Sequence, residues 1–418
     1  MEPLFTNDAI VLGLLTIVLA LIFITAGSSN PFWKKFYTYI PSLLLCYFIP
    51  AFLNWPLGLV SGEESNLYFV SSRYLLPASL VLLCLSIDIK GIIKLGPKAI
   101  IMFLTATMGI VVGGPIAILI ISLIAPGLLN LSSTEEVWRG LATIAGSWIG
   151  GGANQTAMKE IFKVSDSLFA SMLVVDVVVA NIWMGFLLYG ANITKKIDRW
   201  LKADASAIDE LKHRVENYQA SIAKIPNVTD YIMILAVGFG ATALAHMGSD
   251  LITPYMKQFT DTLEQLRLNS LTSGFFWLVV IATTLGFILS FTRFRKLEGV
   301  GASKIGSVFI YVLVASIGMK MNLKEVLDNL GLFAIGLIWM SIHALVLILM
   351  AKLIKAPFFF VAVGSQANVG GAASAPIVAS AFSSSLAPVG ALMAVLGYAL
   401  GTYGALVCAQ LMQLASSM

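Results

Sequence analysis

Gly146-Ser147-Trp148-Ile149-Gly150-Gly151-Gly152-Ala153-Asn154-Gln155-Thr156 and Gly364-Ser365-Gln366-Ala367-Asn368-Val369-Gly370-Gly371-Ala372-Ala373-Ser374 are two copies of one pattern. Each opens with Gly-Ser, passes through Gly-Gly-Ala and sets amide and hydroxyl side chains between apolar flanks. A serine-rich cap and a long apolar run follow each copy, at Ser165-Asp166-Ser167 and at Ser383-Ser384-Ser385. Glycine lets a chain turn tightly and lets a ligand approach the backbone. A helix broken at such a point leaves unpaired N–H groups that suit an anion and carbonyls that suit a cation.

The surroundings of the two copies place them in a membrane. The chain has 418 residues, of which 58% are apolar and 11% charged, where a soluble domain carries about 25% charged residues. The mean hydropathy is +0.89. The apolar residues gather into runs near the roughly 20 residues needed to cross about 30 Å of hydrocarbon. This excludes a soluble enzyme, a nucleic-acid binder and a disordered scaffold. Runs lie at 8–27, 36–54, 67–88, 97–125, 138–162 and 167–194, then, after a polar stretch at 195–229, at 230–252, 273–292, 305–319, 332–351, 356–382 and 386–414. The first run is led by Glu2 and Asp8 rather than by basic residues and reads as a retained helix, not a signal peptide. Cys46, Cys84 and Cys408 each sit inside a run at no metal or redox spacing and read as packing residues.

Charge predicts how the runs thread. Lys34 and Lys35 follow the first run, Lys90, Lys94 and Lys98 the third, Arg293, Arg295, Lys296 and Lys304 the eighth, and Lys352 and Lys355 the tenth. The 195–229 stretch adds Lys195, Lys196, Arg199, Lys202, Lys212, Arg214 and Lys224. All these loops fall on the cytoplasmic side only if 138–162 and 356–382 dip in and return. Eighteen of the 26 basic residues are then inside. The layout is ten crossings and two re-entrant hairpins with both termini outside. Each half has an odd number of crossings, so the second half is inverted relative to the first. Paired glycine-broken segments in an inverted repeat point to the binding site of a secondary transporter.

On this reading the substrate is held by Ser147, Gly150, Gly151, Gly152, Asn154, Gln155 and Thr156 from the first copy, and by Ser365, Gln366, Asn368, Gly370, Gly371 and Ser374 from the second. The alternative is close helix packing through small residues, the role assigned to Gly397-x-x-x-Gly401. Asp176, in Val174-Val175-Asp176-Val177, lies about 13 Å into its helix, where a carboxylate is by default functional. It is assigned to ion coupling with Asn181, either as a transient Na⁺ ligand or as a proton carrier; the alternative is a buried pair with Arg73. His343 reads as hydrogen-bonded packing, and Arg139 as an anion guide or a headgroup contact. Ser132-x-x-Glu135 and Ser133-x-x-Glu136 form capping boxes before the first copy. Ile208, Leu211, Val215, Tyr218, Ile222 and Ile225 make the central stretch an amphipathic helix. A phosphate-binding loop, an HExxH pattern and a nucleophile elbow with a histidine partner are absent, which argues against an ATP-driven pump and an enzyme.

The segments 146–157 and 364–372, with the Asp176 helix, resemble the YjcL-like family of bacterial and plant membrane proteins, a domain of unknown function. The layout is more distantly similar to sodium-coupled glutamate and citrate carriers, and to the bile-acid symporter and sodium–proton antiporter folds. Those resemblances imply a scaffold part that forms a homodimer and a mobile part that carries substrate in an elevator motion. The expectation is therefore an all-α polytopic membrane protein of two inverted repeats, each of about five transmembrane helices plus a glycine-rich re-entrant hairpin or broken helix. The repeats are 1–194 and 230–418, joined by the linker 195–229. The expected function is sodium-coupled symport of a small organic anion (amino acid, dipeptide or carboxylate) across the inner membrane of a bacterium. Its expected partners are that anion, the bilayer and a second copy, with no nucleic acid and no cofactor besides Na⁺ or H⁺. The alternatives are a Na⁺/H⁺ antiporter without organic substrate and a non-transporting receptor or structural subunit.

Overall fold

Asn7, Asn30, Ser165 and Asn227 each begin a helix by accepting a backbone N–H from the first turn. Asn227 does so as one half of a reciprocal capping box with Asp230, which satisfies two otherwise orphaned donors. The computed structural model describes residues 3–40, 42–62, 64–85, 87, 92–93, 95–127, 136–203, 225–265, 269–320, 331–383 and 386–417. The helices in chain order are α1 (Asp8–Ala26), α2 (Pro31–Tyr39), α3 (Ser42–Asn54), α4 (Leu67–Leu85), α5 (Pro97–Ile124), α6 (Val137–Gly150), α7 (Gly152–Ile161), α8 (Asp166–Asn192) and α9 (Thr194–Leu201). They continue as α10 (Val228–Lys257), α11 (Thr260–Gln265), α12 (Gly274–Ser290), α13 (Ala302–Gly318), α14 (Leu332–Leu353), α15 (Phe358–Val369), α16 (Gly371–Phe382) and α17 (Ala387–Ala415). There is no strand among the described residues. The protein is an all-α polytopic membrane protein. The expected amphipathic helix over 208–225 and the capping boxes from Ser132 and Ser133 lie outside the described residues, apart from Ile225 and Glu136.

Seven described helices, α1, α4, α5, α8, α10, α14 and α17, are long and apolar enough to cross a bilayer. An eighth is counted if α12 and the 3₁₀ turn Arg293–Val300, bent at 94°, form one span. Ten crossings were expected from the runs. The difference comes from three of them. The 36–54 run divides into α2, of 9 residues, and α3, of 13 residues with Pro50 inside it. Helices α12 and α13 stop at 17 residues each, about 25 Å at 1.5 Å per residue.

The helices pack as two groups. Helices α5, α6, α7, α8, α14, α15, α16 and α17 form one, and α1, α3, α4, α10, α12 and α13 the other. In the six-helix group α1 lies on α3 as α10 lies on α12, α3 lies on α13 as α12 lies on α4, and α1 lies on α13 as α10 lies on α4. The two groups meet where α17 and α7 touch α4 and α12, and Thr283 and Thr402 share a hydrogen bond of 3.1 Å there. The outer surface is apolar. On α1, Val11, Leu15, Leu19 and Ile22 face inward while Ile10, Ile17, Leu21 and Ile24 are exposed. A helix apolar on every side belongs in hydrocarbon.

Candidate functional site

Both glycine-rich runs fold back on themselves. Gly151 separates α6 from α7 at φ +76° and ψ −172°, a conformation open essentially to glycine alone. Gly371, at φ +58°, opens α16. At the far end of the first run, Arg139 Nη1 donates to the Phe162 carbonyl at 3.3 Å, and the Trp138 and Phe162 rings meet edge to face at 5.5 Å. Its start and finish are therefore side by side. Near the turn, a Cβ on Gly146 would stand 2.6 Å from the Asn154 carbonyl oxygen, so the two arms touch backbone to backbone. The second run closes in the same manner. Phe359 and Phe382 meet edge to face at 5.3 Å, and Gln366 Nε2 donates to Ser374 Oγ at 2.7 Å across the break.

The hairpins open at opposite ends of α8, whose 27 residues span about 40 Å. At its first residue, Asp166 receives Lys159 Nζ from the end of α7 at 2.8 Å. At its last turns, Gly190 lies against the Phe358 ring, and Asp198 in α9 accepts the Phe358 N–H at 2.7 Å. Between these ends the hairpins meet, with α6 packing against both α15 and α16. At each tip a side chain added to Gly151 or Gly371 would find nothing within 4 Å. Gly151 is half-buried and Gly371 buried, and each has room beside it for a side chain.

Asp176 is held by the first hairpin. Trp148 Nε1 on α6 donates to its Oδ1 at 2.7 Å, and Gln155 Nε2 on α7 donates to its Oδ2 at 2.8 Å. Ser147 adds a hydroxyl neighbour. One carboxylate therefore ties both arms to α8, about 15 Å from the start of that helix. Arg73, the partner considered from sequence, pairs instead with Glu160 at 3.0 Å. Asn181 turns its amide to the Val177 carbonyl at 2.8 Å. Five residues along a helix is about 140° of rotation, so Asn181 leaves the Asp176 face.

Asn154 and Asn368 make matching sets of bonds. Asn154 Nδ2 donates to the carbonyls of Gly150 and Tyr398, both at 3.1 Å, and Thr402 Oγ1 donates to its Oδ1 at 2.5 Å. Asn368 Nδ2 donates to the carbonyls of Gly364 (3.0 Å) and Phe103 (3.2 Å), and Thr107 Oγ1 donates to its Oδ1 at 2.8 Å. Each asparagine joins its own i−4 carbonyl to a carbonyl of another helix and to the threonine four residues further along that helix. The first hairpin is thereby pinned to α17 and the second to α5. Asn154→Ala and Asn368→Ala each leave a buried carbonyl and hydroxyl short of a partner, which costs about 1–3 kcal/mol. Melting of the purified variants should show a drop for each, and the double variant should lose the sum, since the sites share no partner.

Ser365 is buried in a chain of bonds. Trp183 Nε1 donates to Ser365 Oγ at 2.8 Å, which lies 2.8 Å from His343 Nε2, and His343 Nδ1 is 3.1 Å from the Ala106 carbonyl. A carbonyl only accepts, so Nδ1 carries the proton and Ser365 donates to Nε2. This is the packing role read for His343. Thr156 Oγ1 donates to the Gly152 carbonyl at 2.8 Å. Gly150 abuts Gly397 and Gly401 of α17, and Gly370 is enclosed by Ser374 and Gln366. Among the described residues of the two hairpins, the buried amide oxygens Gln155 Oε1 and Gln366 Oε1 have no hydrogen bond, one in each hairpin. Thr107, Trp183, Tyr398 and Thr402 were not identified from sequence, since they stand outside the glycine motifs and their pairing with 154, 365 and 368 spans up to 261 residues. Only Thr402, directly after Gly401, carried a local hint.

The family model described as "Protein of unknown function (DUF819)" matches residues 13–415. The chain belongs to this DUF819 family. It is 24% identical over 344 residues to the uncharacterized membrane protein YjcL of Bacillus subtilis (strain 168), covering 81% of this chain and 82% of that one. The DUF819 match takes in both hairpins, Asp176 and both asparagine clamps.

Proposed function

We propose that this DUF819 protein is a secondary active transporter that couples inward Na⁺ movement to uptake of a small organic anion, in two inverted repeats related as 1–194 and 230–418. The observation that carries the reading is the pair of glycine-hinged hairpins that open at opposite ends of α8 and meet each other inside the bundle. Unwound backbone at membrane depth is tolerated where it lines a cavity, and paired breaks at the repeat interface are where such transporters bind their cargo. The tips supply N–H groups for a carboxylate. Gln155 Oε1 and Gln366 Oε1 supply acceptors for a cation or an ammonium group. Asp176 supplies the charge through which Na⁺ is felt.

The asparagine clamps favour an elevator motion over a swinging hairpin gate. Asn154 and Asn368 bind each hairpin to a helix of its own group, so the eight-helix group moves as a block past the six-helix group. The homodimer would be formed through the six-helix groups. A Na⁺/H⁺ antiporter would use the same Asp176 without any role for the hairpin amides.

Thiol accessibility tests the geometry. Gly151→Cys and Gly371→Cys place a reactive group at each tip, while Cys46, Cys84 and Cys408 are buried. In membrane vesicles a small water-soluble maleimide should label each tip, and saturating Na⁺ should slow the labelling of at least one. Protection of both tips from either side would remove the binding cleft from the account.

A further inference from the structure

A cavity of about 320 Å³ lies at the end of the bundle where the first hairpin closes, away from both hairpin tips. Its walls come from both helix groups. Lys159, Glu160, Lys163 and Asp166 line it from the end of α7 and the start of α8, Arg73 from α4, and Lys320 from the end of α13. Arg73 stands in the π-turn Ser71–Leu75 within α4, a kind of bulge that is frequent at functional sites.

The acids in this wall are already engaged. Asp166 is shared by Lys159 at 2.8 Å and Lys320 at 3.2 Å. Glu160 is shared by Arg73 at 3.0 Å and Lys159 at 3.9 Å. The cations keep donors to spare, because a guanidinium has five N–H groups and an ammonium three. Aromatic faces hold them in place: Arg73 lies 4.4 Å over Phe275, and Lys320 lies 4.4 Å over Tyr68. Lys159 is 4% exposed. The described lining thus carries four cations against two carboxylates. A surplus of one sign gathered in a cleft draws in ions of the other, here anions. The volume equals roughly ten waters at about 30 Å³ each, enough for one small oxyanion with part of its hydration.

We propose that this cavity binds a small oxyanion, a carboxylate or phosphate group, between Arg73, Lys163 and Lys320. The anion has two physical sources, a soluble solute and an anionic lipid headgroup. Because Arg73 and Lys320 belong to the six-helix group and Lys163 to the eight-helix group, an occupant would bridge the two. The site is separate from the hairpin tips and does not depend on their transporting anything.

Binding of succinate and of inorganic phosphate to the purified full-length protein in neutral detergent at low salt tests this, read by calorimetry without any ion gradient. Lys163→Gln is the chosen variant because Lys163 sits at the exposed rim, outside the four ion pairs named above. Lys196→Gln, on α9 near the opposite end of the bundle, is the control. Saturable binding that weakens about tenfold in Lys163→Gln, the loss of one charge-assisted contact, and stays unchanged in Lys196→Gln supports a soluble anion. If neither solute binds, native mass spectrometry from phosphatidylglycerol nanodiscs decides: retained lipid that is lost in Lys163→Gln supports the headgroup. Binding that ignores Lys163→Gln, or no anion retained in either arm, overturns the site. Each of those failures leaves the transport proposal standing.

Discussion

Asp176→Ala should destabilise the purified protein by about 2–6 kcal/mol, while Asp176→Asn should leave its melting close to that of the parent. The aspartate accepts one bond from Trp148 and one from Gln155, both buried. Alanine orphans both donors, at about 1–3 kcal/mol each. Asparagine keeps an oxygen for Trp148. Its new amide hydrogens meet Gln155, whose amide can rotate to offer Oε1, the atom that has no hydrogen bond now. The swap removes the charge and keeps the clamp. Tryptophan fluorescence during thermal unfolding reads the first effect directly, since Trp148 is itself a reporter. Sodium-driven uptake reads the second, and there the tolerated variant should fail: Asp176→Asn should be folded and inactive. A folded, fully active Asp176→Asn would reduce the carboxylate to a structural pin.

Gly401→Leu should prevent assembly of the hairpin group. A Cβ at Gly401 would stand 2.5 Å from the Gly150 Cα and 2.6 Å from Asn154 Nδ2, and one at Gly150 would stand 2.6 Å from the Gly397 carbonyl oxygen. The obstacles at this crossing are largely backbone, which has no rotamer to yield. Overpacking a fitted interior costs about 1–3 kcal/mol and occasionally more, so Gly401→Ala should already lower the melting temperature. The leucine variant should elute from size-exclusion chromatography as aggregate. Gly240→Leu on α10, where an added Cβ meets nothing within 4 Å, should be neutral and shows that the effect belongs to this crossing.

Gly397 and Gly401 were legible in sequence as a packing motif, yet not what they pack: the spacing marks a smooth helix face and is silent about the hairpin that lands on it. The glycine hairpins themselves were readable because a turn at membrane depth demands residue types that no ordinary span contains. Asp176 was readable for a similar reason, since an isolated carboxylate among valines stands out. Its partners were not. Trp148 and Gln155 lie 28 and 21 residues earlier, on two arms that face α8 only after the hairpin has closed. Asn181 was drawn in by proximity along the chain, although helical rotation carries it away. Hydropathy located the apolar runs without their helix ends, as at 36–54, because it does not register a break such as the one between α2 and α3.

The most direct measurement is uptake into proteoliposomes of labelled succinate, glutamate and dialanine under an inward Na⁺ gradient, with pH followed in parallel. The account predicts that at least one of these solutes accumulates above its external concentration, that the accumulation vanishes when K⁺ replaces Na⁺, and that Asp176→Asn abolishes it. Exchange of Na⁺ for H⁺ with no movement of any organic anion, or an uptake indifferent to both Na⁺ and Asp176, would contradict it.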